Sequence, residues 1–167
     1  MSNRRQIILA EDAHRFITGG KATFTAVSKG TGVRFTYQVK QSDNPDLFFV
    51  AVLTGLDNES SYSYLGTLRR EYAPGTSYVY KHGAKSKISA DAPSAKAFAW
   101  TWANIKQGRI PNTLEVWHEA KCARCGRKLT VPASIESGWG PECASREAPA
   151  LAAAPRYRFR ADVVGAS

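Results

Sequence analysis

A histidine and three cysteines stand close together in the last third of the sequence. Two of the cysteines are separated by only two residues, a spacing at which one tight turn can present two thiolates to the same metal ion. Zinc prefers four sulfur or nitrogen ligands in a tetrahedron, and one histidine with three cysteines makes a complete set. The sequence therefore predicts one structural Zn2+ held by His118, Cys122, Cys125 and Cys143.

Four protein ligands would close this zinc site, and a closed site contributes to folding without holding a reactive water. The zinc deaminase pattern, H-x-E followed by P-C-x-x-C, does not occur in the sequence. No serine, cysteine or carboxylate stands in a recognisable nucleophile motif. We therefore expect no catalytic activity. Two alternatives stay open: three buried free cysteines without a metal, or a site in which His118 is a surface residue and water takes the fourth position.

The composition limits the class of protein. A chain of 167 residues suffices for one compact domain with a small appendage, and a hydrophobic content of 43% allows a real core. The most apolar stretch, residues 47–53, is far shorter than the roughly 18 residues of a membrane-spanning helix. Three cysteines cannot all pair as disulfides within one chain, which favours a reducing compartment. We therefore expect an intracellular protein without a membrane segment.

The sequence is strongly basic, with 23 lysines and arginines against 14 acidic residues and a formal net charge of +9. Such a charge attracts polyanions and makes their binding sensitive to salt. Tyr37, Tyr62 and Tyr64 could stack on bases if they face the solvent, whereas packing in the core is the alternative for each. The residues that we predict to contact nucleic acid are Arg34, Lys40, Arg69, Arg70, Lys81, Lys85, Lys87, Arg124, Arg127 and Lys128.

Alternating and apolar runs upstream of the cysteines predict an antiparallel sheet. The run at 47–54 is apolar at nearly every position, which predicts a central strand buried on both faces. The run at 61–68 alternates, which predicts that Tyr62, Tyr64, Gly66 and Leu68 lie on one side. The predicted strands cover residues 21–27, 33–40, 47–54, 61–68, 77–81 and 113–117.

Two helices are predicted beside this sheet. A short one covers residues 11–17, and a longer one has Pro93 in its first turn and ends at Gly108. Phe98, Trp102 and Ile105 recur at helical spacing, so this stripe should be buried against the sheet. Ser89 and Asp91 are the candidate caps of the longer helix.

These elements predict an α+β fold, in which one main helix packs on the sheet and a small zinc module follows. We place the α+β domain at residues 1–116, the zinc module at 117–147 and a loosely packed basic tail at 148–167. The cysteine spacing predicts a treble-clef-like module. It has a knuckle at 122–125, a hairpin around 129–131, and Cys143 at the start of a short helix.

The segment from Trp117 to Cys143 resembles a family of uncharacterised proteins of tailed bacteriophages and prophages. Their signature is C-x-x-C-G-R-x-L, then S-I, then G-x-G-P-x-C, and this sequence has all three parts. The stretches Phe35-Thr36-Tyr37, Val52–Gly55 and Tyr64-Leu65-Gly66 resemble the region that precedes this segment, more loosely. The resemblance implies a phage or mobile-element origin, a bacterial host cytoplasm and bound zinc. It implies no established reaction.

Two functions follow as expectations. The basic charge and the aromatic candidates favour a zinc-stabilised nucleic-acid-binding protein. A flat sheet beside a rigid zinc knuckle would also suit a factor that captures a host or defence protein. The sequence indicates neither the oligomeric state nor any preference for DNA or RNA.

Overall fold

The computed structural model describes residues 5–54, 61–71, 78–129 and 132–140 of the chain. These described residues form seven strands and three helices. The strands are β1 (Arg5–Ile7), β2 (Lys21–Ser28), β3 (Arg34–Gln41), β4 (Leu47–Leu53), β5 (Tyr62–Arg70), β6 (Tyr78–His82) and β7 (Leu114–His118), and the helices are α1 (Ala10–Ile17), α2 (Pro93–Lys106) and α3 (Pro132–Ser137).

All seven strands belong to one antiparallel sheet, in the order β1-β7-β2-β3-β4-β5-β6. Strands β2 to β6 follow one another as a meander, whereas β7 is inserted between β1 and β2. The predicted α+β class with an antiparallel sheet is confirmed. The six predicted strands agree with β2 to β7 to within about two residues at each end, which is the ordinary uncertainty of element boundaries.

A tight turn joins β2 and β3 into a hairpin. The Ser28 N–H donates to the Val33 carbonyl at 2.8 Å, and the Gly32 N–H donates to the Ser28 carbonyl at 2.7 Å. Gly32 has a φ of 73°, in the left-handed region that glycine adopts without steric cost. The turn thereby sets the register of the two strands.

Helices α1 and α2 cover one face of the sheet. Phe16 of α1 stacks on His118 of β7, with 5.8 Å between ring centroids, and Phe98 of α2 packs edge-to-face with Tyr37 of β3, with 5.1 Å between centroids. The main core therefore lies between these helices and the sheet. Neither of these helices, nor α3, is long and apolar enough to cross a membrane.

The apolar stripe of α2 packs as its spacing predicted. Phe98, Trp102 and Ile105 are each at most 2% exposed. Trp102 also donates a hydrogen bond from its Nε1 to the Tyr78 carbonyl at 2.9 Å. The indole is therefore buried with its polar atom satisfied.

The start of α2 differs in part from the prediction. Pro93 is the first helical residue, as predicted, but the N-cap is Ala92, which has no side-chain cap hydrogen bond. The Ser89 hydroxyl instead accepts a hydrogen bond from the Asp91 N–H at 3.1 Å, in the turn before the helix. Neither predicted cap therefore caps the helix.

A bulge in β5 corrects the predicted alternation of this strand. Ala51 of β4 pairs with Tyr64 and Val50 pairs with Gly66, so Leu65 is an extra residue between the two pairs. Since neighbours in β4 face opposite sides, Tyr64 and Gly66 also lie on opposite sides of the sheet. The prediction that they share a side was wrong.

The prediction that β4 is buried on both faces was also wrong. Phe48, Val50 and Val52 face the helices and are at most 1% exposed, but Phe49 between them is 45% exposed. β4 therefore lies in the interior of the sheet but is covered on one face only.

His14 of α1 packs in an aromatic environment. Its ring stacks on Trp102 at 5.1 Å and lies 6.5 Å from the Tyr78 ring. Burial, and secondly the positive charge of Arg15, lowers the pKa of His14 below its ordinary value. The unfolded chain therefore holds this proton more tightly than the folded protein does, so stability should fall as the pH drops below about 6.5.

A His14→Phe variant tests this pH dependence, because it keeps an aromatic ring on Trp102 and removes the titrating group. From about pH 6.5 towards pH 5, we expect the free energy of unfolding of the unmodified protein to fall more steeply than that of the variant. The difference in slope should be at most about 1.4 kcal/mol per pH unit. Urea denaturation at a series of pH values measures both slopes, and equal slopes would contradict the expectation.

Candidate functional site

Cys122 and Cys125 lie in a tight hairpin that follows β7, here called the cysteine hairpin (residues 121–128). The Cys122 carbonyl accepts a hydrogen bond from the Gly126 N–H at 2.9 Å, and an isolated bridge pairs Lys121 with Lys128. Gly126 has a φ of 76°, which a residue with a Cβ adopts only with strain. The C-x-x-C-G pattern therefore folds both cysteines onto one turn.

The Cys122 sulfur is surrounded by hydrogen-bond donors. Its Sγ accepts the Arg124 N–H at 3.4 Å and the Gly140 N–H at 3.2 Å. Burial raises the pKa of the Cys122 thiol, but backbone hydrogen bonds from Gly140, Cys125 and Arg124, together with one from the Cys125 side chain, outweigh burial. The pKa consequently lies below its ordinary value. A thiolate is the form that binds metal ions.

His118 lies in β7 with no exposed surface. The Ala120 N–H donates to its Nδ1 at 2.9 Å, and its Nε2 lies 2.6 Å from the Ile135 carbonyl oxygen. A backbone N–H can only donate and a carbonyl oxygen can only accept, so the ring carries its proton on Nε2 and both nitrogens are engaged. In this arrangement the lone pair of Nδ1 accepts the Ala120 N–H, so a metal ion could bind His118 only if this hydrogen bond were broken.

The structure thus brings together two of the four predicted ligands, Cys122 and Cys125. Cys143 and the short helix predicted to present it lie outside the described residues. So do residues 130 and 131 of the predicted hairpin. Within the described ranges, no group of three or more histidine, cysteine, aspartate or glutamate side chains is placed to hold a metal ion. Two thiolates on one turn are nevertheless a donor pair that suits zinc.

The cysteine hairpin packs directly on the sheet domain. The Lys21 N–H of β2 donates to the Ala123 carbonyl at 2.8 Å, and a Cβ on Gly19 would come within 2.8 Å of that oxygen. Cys122, Ala123 and Trp139 belong to the same hydrophobic core as the sheet. The domain boundary predicted between residues 116 and 117 falls within β7, so the sheet continues into the hairpin without a linker. The predicted tail at 148–167 lies outside the described residues.

The face of the sheet opposite α1 and α2 is here called the open face. Residues directly opposite each other on paired strands point to the same side. The register therefore places five residues of β2 to β6 in one row across this face, and three of the five are lysines. The row is Lys21, Lys40, Phe49, Thr67 and Lys81.

Phe49 of this row has an aromatic neighbour on the next strand. The rings of Phe49 and Tyr64 lie 6.2 Å apart between centroids, at an interplanar angle of 69°. Tyr64 is 36% exposed, so both rings of the pair reach the solvent. A Cβ on Gly83 would come within 2.5 Å of the Tyr64 ring, and Ser86 donates a hydrogen bond to the Tyr64 carbonyl at 2.7 Å. The segment after β6 therefore holds Tyr64 in place.

Four of the ten predicted basic residues share the open face: Arg34, Lys40, Arg69 and Lys81. Arg34 pairs with Val27, and Arg69 pairs with Leu47 and Val79, on the same side as Phe49. All four side chains are exposed. The sequence prediction missed Lys21, because nothing in the residue order shows that Lys21 lies across from Lys40.

The other predicted basic residues lie elsewhere. Arg70 follows Arg69 in β5 and points to the other side, where it lies 4.0 Å from Asp46. Two exposed lysines, Lys85 and Lys87, belong to the segment after β6. The remaining three belong to the cysteine hairpin: Arg127 and Lys128 are exposed, whereas the Arg124 Nη1 is buried and has no hydrogen-bond partner among the residues that the structure describes.

The three tyrosines have different surroundings. Tyr37 is fully buried, and its hydroxyl donates to the Ser94 carbonyl at 2.7 Å, so it cannot stack on a base. Burial, and then the neighbouring Tyr80, raises its pKa. Tyr62 is half-buried opposite Leu53, and Tyr64 is exposed. Phe49, which the sequence analysis did not consider, takes the place of Tyr37 as an exposed aromatic.

The end of the open face formed by β7 is acidic and polar. Glu119 accepts a hydrogen bond from the Thr25 hydroxyl at 2.6 Å, and Thr25 lies 2.7 Å from the Thr36 hydroxyl. Glu115 accepts a hydrogen bond from the Trp117 Nε1 at 3.0 Å. The cations are therefore concentrated on the part of the open face formed by β2 to β6.

The fold and the cysteine hairpin together define the class: an α+β protein whose antiparallel sheet runs through β7 directly into a C-x-x-C turn. Within this class, residues 114–148 match a family described as a family of unknown function, DUF6011. The matched segment contains β7, the cysteine hairpin and all four predicted zinc ligands. No curated protein and no solved structure matches the chain.

Proposed function

We propose that this protein is a zinc-stabilised nucleic-acid-binding protein without catalytic activity. The phage-type signature around the cysteines is the reason to propose a phage or prophage origin and action in the bacterial host cytoplasm. The single observation that carries the binding proposal is the open face, where exposed cations flank exposed aromatic rings. Cations hold phosphates and aromatic rings stack on bases, so this combination suits a polynucleotide better than either feature alone.

Zinc enters this proposal as a structural ion. Cys122, Cys125 and Cys143 would hold it in a treble-clef-like module, with the fourth position filled by a group other than His118. The lowered pKa of Cys122 and the turn that it shares with Cys125 support the choice of ligands. When bound, zinc would tie the cysteine hairpin to the segment beyond residue 140. The hairpin in turn supports β2 through the hydrogen bond between Lys21 and Ala123.

Oligonucleotide binding tests the proposed function. We expect labelled oligonucleotides to bind in fluorescence anisotropy titrations at low salt. Between about 50 and 200 mM salt, the affinity should fall roughly 50-fold if about four phosphates of a single strand are contacted. Absence of binding even at about 50 mM salt would overturn the proposal.

A pair of matched charge reversals locates the binding face. The variant Lys40→Glu/Lys81→Glu changes the charge of the open face, and Lys96→Glu/Lys106→Glu makes the same change on α2, on the other side of the sheet. The first should weaken binding about tenfold or more and reduce the salt slope, because phosphate contacts are lost. The second should have a much smaller effect. Equal losses would assign binding to overall charge rather than to the open face.

A protein partner is the second candidate function, and the exposure of Phe49 is the observation that favours it. An exposed aromatic side chain on a flat sheet can also anchor a protein interface. Affinity purification from host lysate separates the candidates: one stoichiometric protein that stays bound after nuclease treatment, and is lost in Phe49→Ala, would favour a host or defence protein as the ligand.

A further inference from the structure

We propose that the ligand of the open face is a single strand, whose bases stack on Phe49 and Tyr64 while its phosphates lie along the flanking cations. This inference rests on the proposed function and adds the class of nucleic acid. In the sequence, the net charge and three tyrosines indicated nucleic-acid binding. The register of the sheet assigns a different pair of rings and a defined row of lysines.

The two rings are neighbours on the open face and meet at a steep angle, 69° between their planes. Phe49 and Tyr64 lie on adjacent strands, and they are the exposed aromatic side chains of the open face among the described residues. Gly83 and Ser86 hold Tyr64 from the side of β6, so its position does not depend on a ligand. Rings that are fixed before binding lose little conformational freedom when a base stacks on them.

The width of the row argues against a duplex. Lys21 and Lys81 are separated by four strand spacings, about 19 Å at about 4.8 Å each. The major groove of B-DNA is about 12 Å wide, so this face cannot enter the groove to reach base edges. A duplex would also keep the faces of its bases stacked on one another, out of reach of Phe49 and Tyr64. Only unpaired bases can use the two rings.

The charges lie where the backbone of such a strand would run. Lys21 and Lys40 stand on one side of Phe49 in the row, Lys81 stands on the other side, and Arg69 occupies the neighbouring position of β5. Phosphates on both sides of the stacked bases would thus meet a cation. The acidic residues Glu115 and Glu119 lie at the β7 end, which confines the strand to β2 through β6.

The test compares labelled oligothymidylate and oligouridylate of about ten nucleotides with a duplex of the same length. We expect the single strands to bind more tightly than the duplex at about 50 mM salt. Phe49→Ala and Tyr64→Ala should each weaken single-strand binding about tenfold and leave duplex binding nearly unchanged. Phe49→Tyr, which keeps a ring, should retain most of the affinity.

Trp100→Ala is the matched control, because Trp100 is 47% exposed on α2, on the other side of the sheet. Circular dichroism and thermal unfolding of each variant show that the fold is retained. If the duplex binds as well as the single strands and the ring variants change nothing, this inference is overturned while nucleic-acid binding stands. If none of the nucleic acids binds, the proposed function fails together with it. Tighter binding of oligothymidylate would identify DNA as the ligand, and tighter binding of oligouridylate would identify RNA.

Discussion

Replacing Cys122 with serine should abolish stoichiometric zinc binding and lower the midpoint of thermal unfolding. The pKa of the Cys122 thiol is lowered, which favours the thiolate that binds zinc. A serine hydroxyl is a poor zinc ligand. A metal that is bound only by the folded chain, at about 1,000 times its dissociation constant, stabilises the fold by about 4 kcal/mol. For a protein of this size, that corresponds to a fall of roughly 10 °C in the midpoint.

Two measurements check this prediction. Elemental analysis of the purified protein should find one zinc per chain in the unmodified protein and none in Cys122→Ser. A chelator should lower the melting temperature of the unmodified protein by a similar amount. Lys128→Ser is the matched control, because this exposed residue lies on the same hairpin and carries no sulfur. Zinc-free unmodified protein with an unchanged melting temperature would contradict a structural metal.

The variant His118→Leu should destabilise the protein by about 2 to 5 kcal/mol and leave its zinc content unchanged. The side chain is fully buried and stacked on Phe16, and its loss leaves the Ala120 N–H and the Ile135 carbonyl without these partners. Each buried polar group without a partner costs about 1 to 3 kcal/mol. Leucine fills most of the volume, which limits the cavity.

Urea denaturation and elemental analysis, applied to the same preparation, separate the two roles of His118. Zinc retained with lowered stability supports the hydrogen-bonded role. Loss of zinc under conditions in which the variant is folded would instead identify His118 as a ligand. His82→Leu is the comparison: its Nε2 lies 2.8 Å from the Ile88 carbonyl, but it is only half-buried, so its replacement should cost less.

The regular elements could be predicted from the sequence because their signals are local. The spacing of Phe98, Trp102 and Ile105 predicted the buried stripe of α2, and Pro93 marked its start. The alternating and apolar runs predicted β2 to β7. Each of these signals depends on residues within one or two turns of the chain, and no pairing between distant strands is needed to interpret them.

The functional surface could not be predicted in the same way, because it depends on pairing between strands. Every residue of the run at 47–53 is apolar, so this pattern does not show that Phe49 faces the solvent. The bulge at Leu65 is also invisible in the sequence, yet it decides that Tyr64 lies beside Phe49. Lys21 joins the row only through the register of β2 with β3.

The site around the cysteines was predicted only in its local part. The C-x-x-C-G spacing identified the turn that carries Cys122 and Cys125. The partners of His118 could not be anticipated, since Ile135 lies 17 positions further along the chain. A histidine four residues before a cysteine fits a zinc ligand and a buried hydrogen-bonding residue equally well.

The position of β7 between β1 and β2 determines the order in which the nascent chain can fold. The hydroxyl of Thr25 and the carboxylate of Glu119 meet in the sheet although they are 94 positions apart. The meander of β2 to β6 can assemble as it leaves the ribosome, but the edge of β2 stays unpaired until the ribosome has added about ninety further residues. Closing so long a loop is slow, so we expect refolding on a millisecond-to-second timescale, with this edge exposed to other chains in the interval.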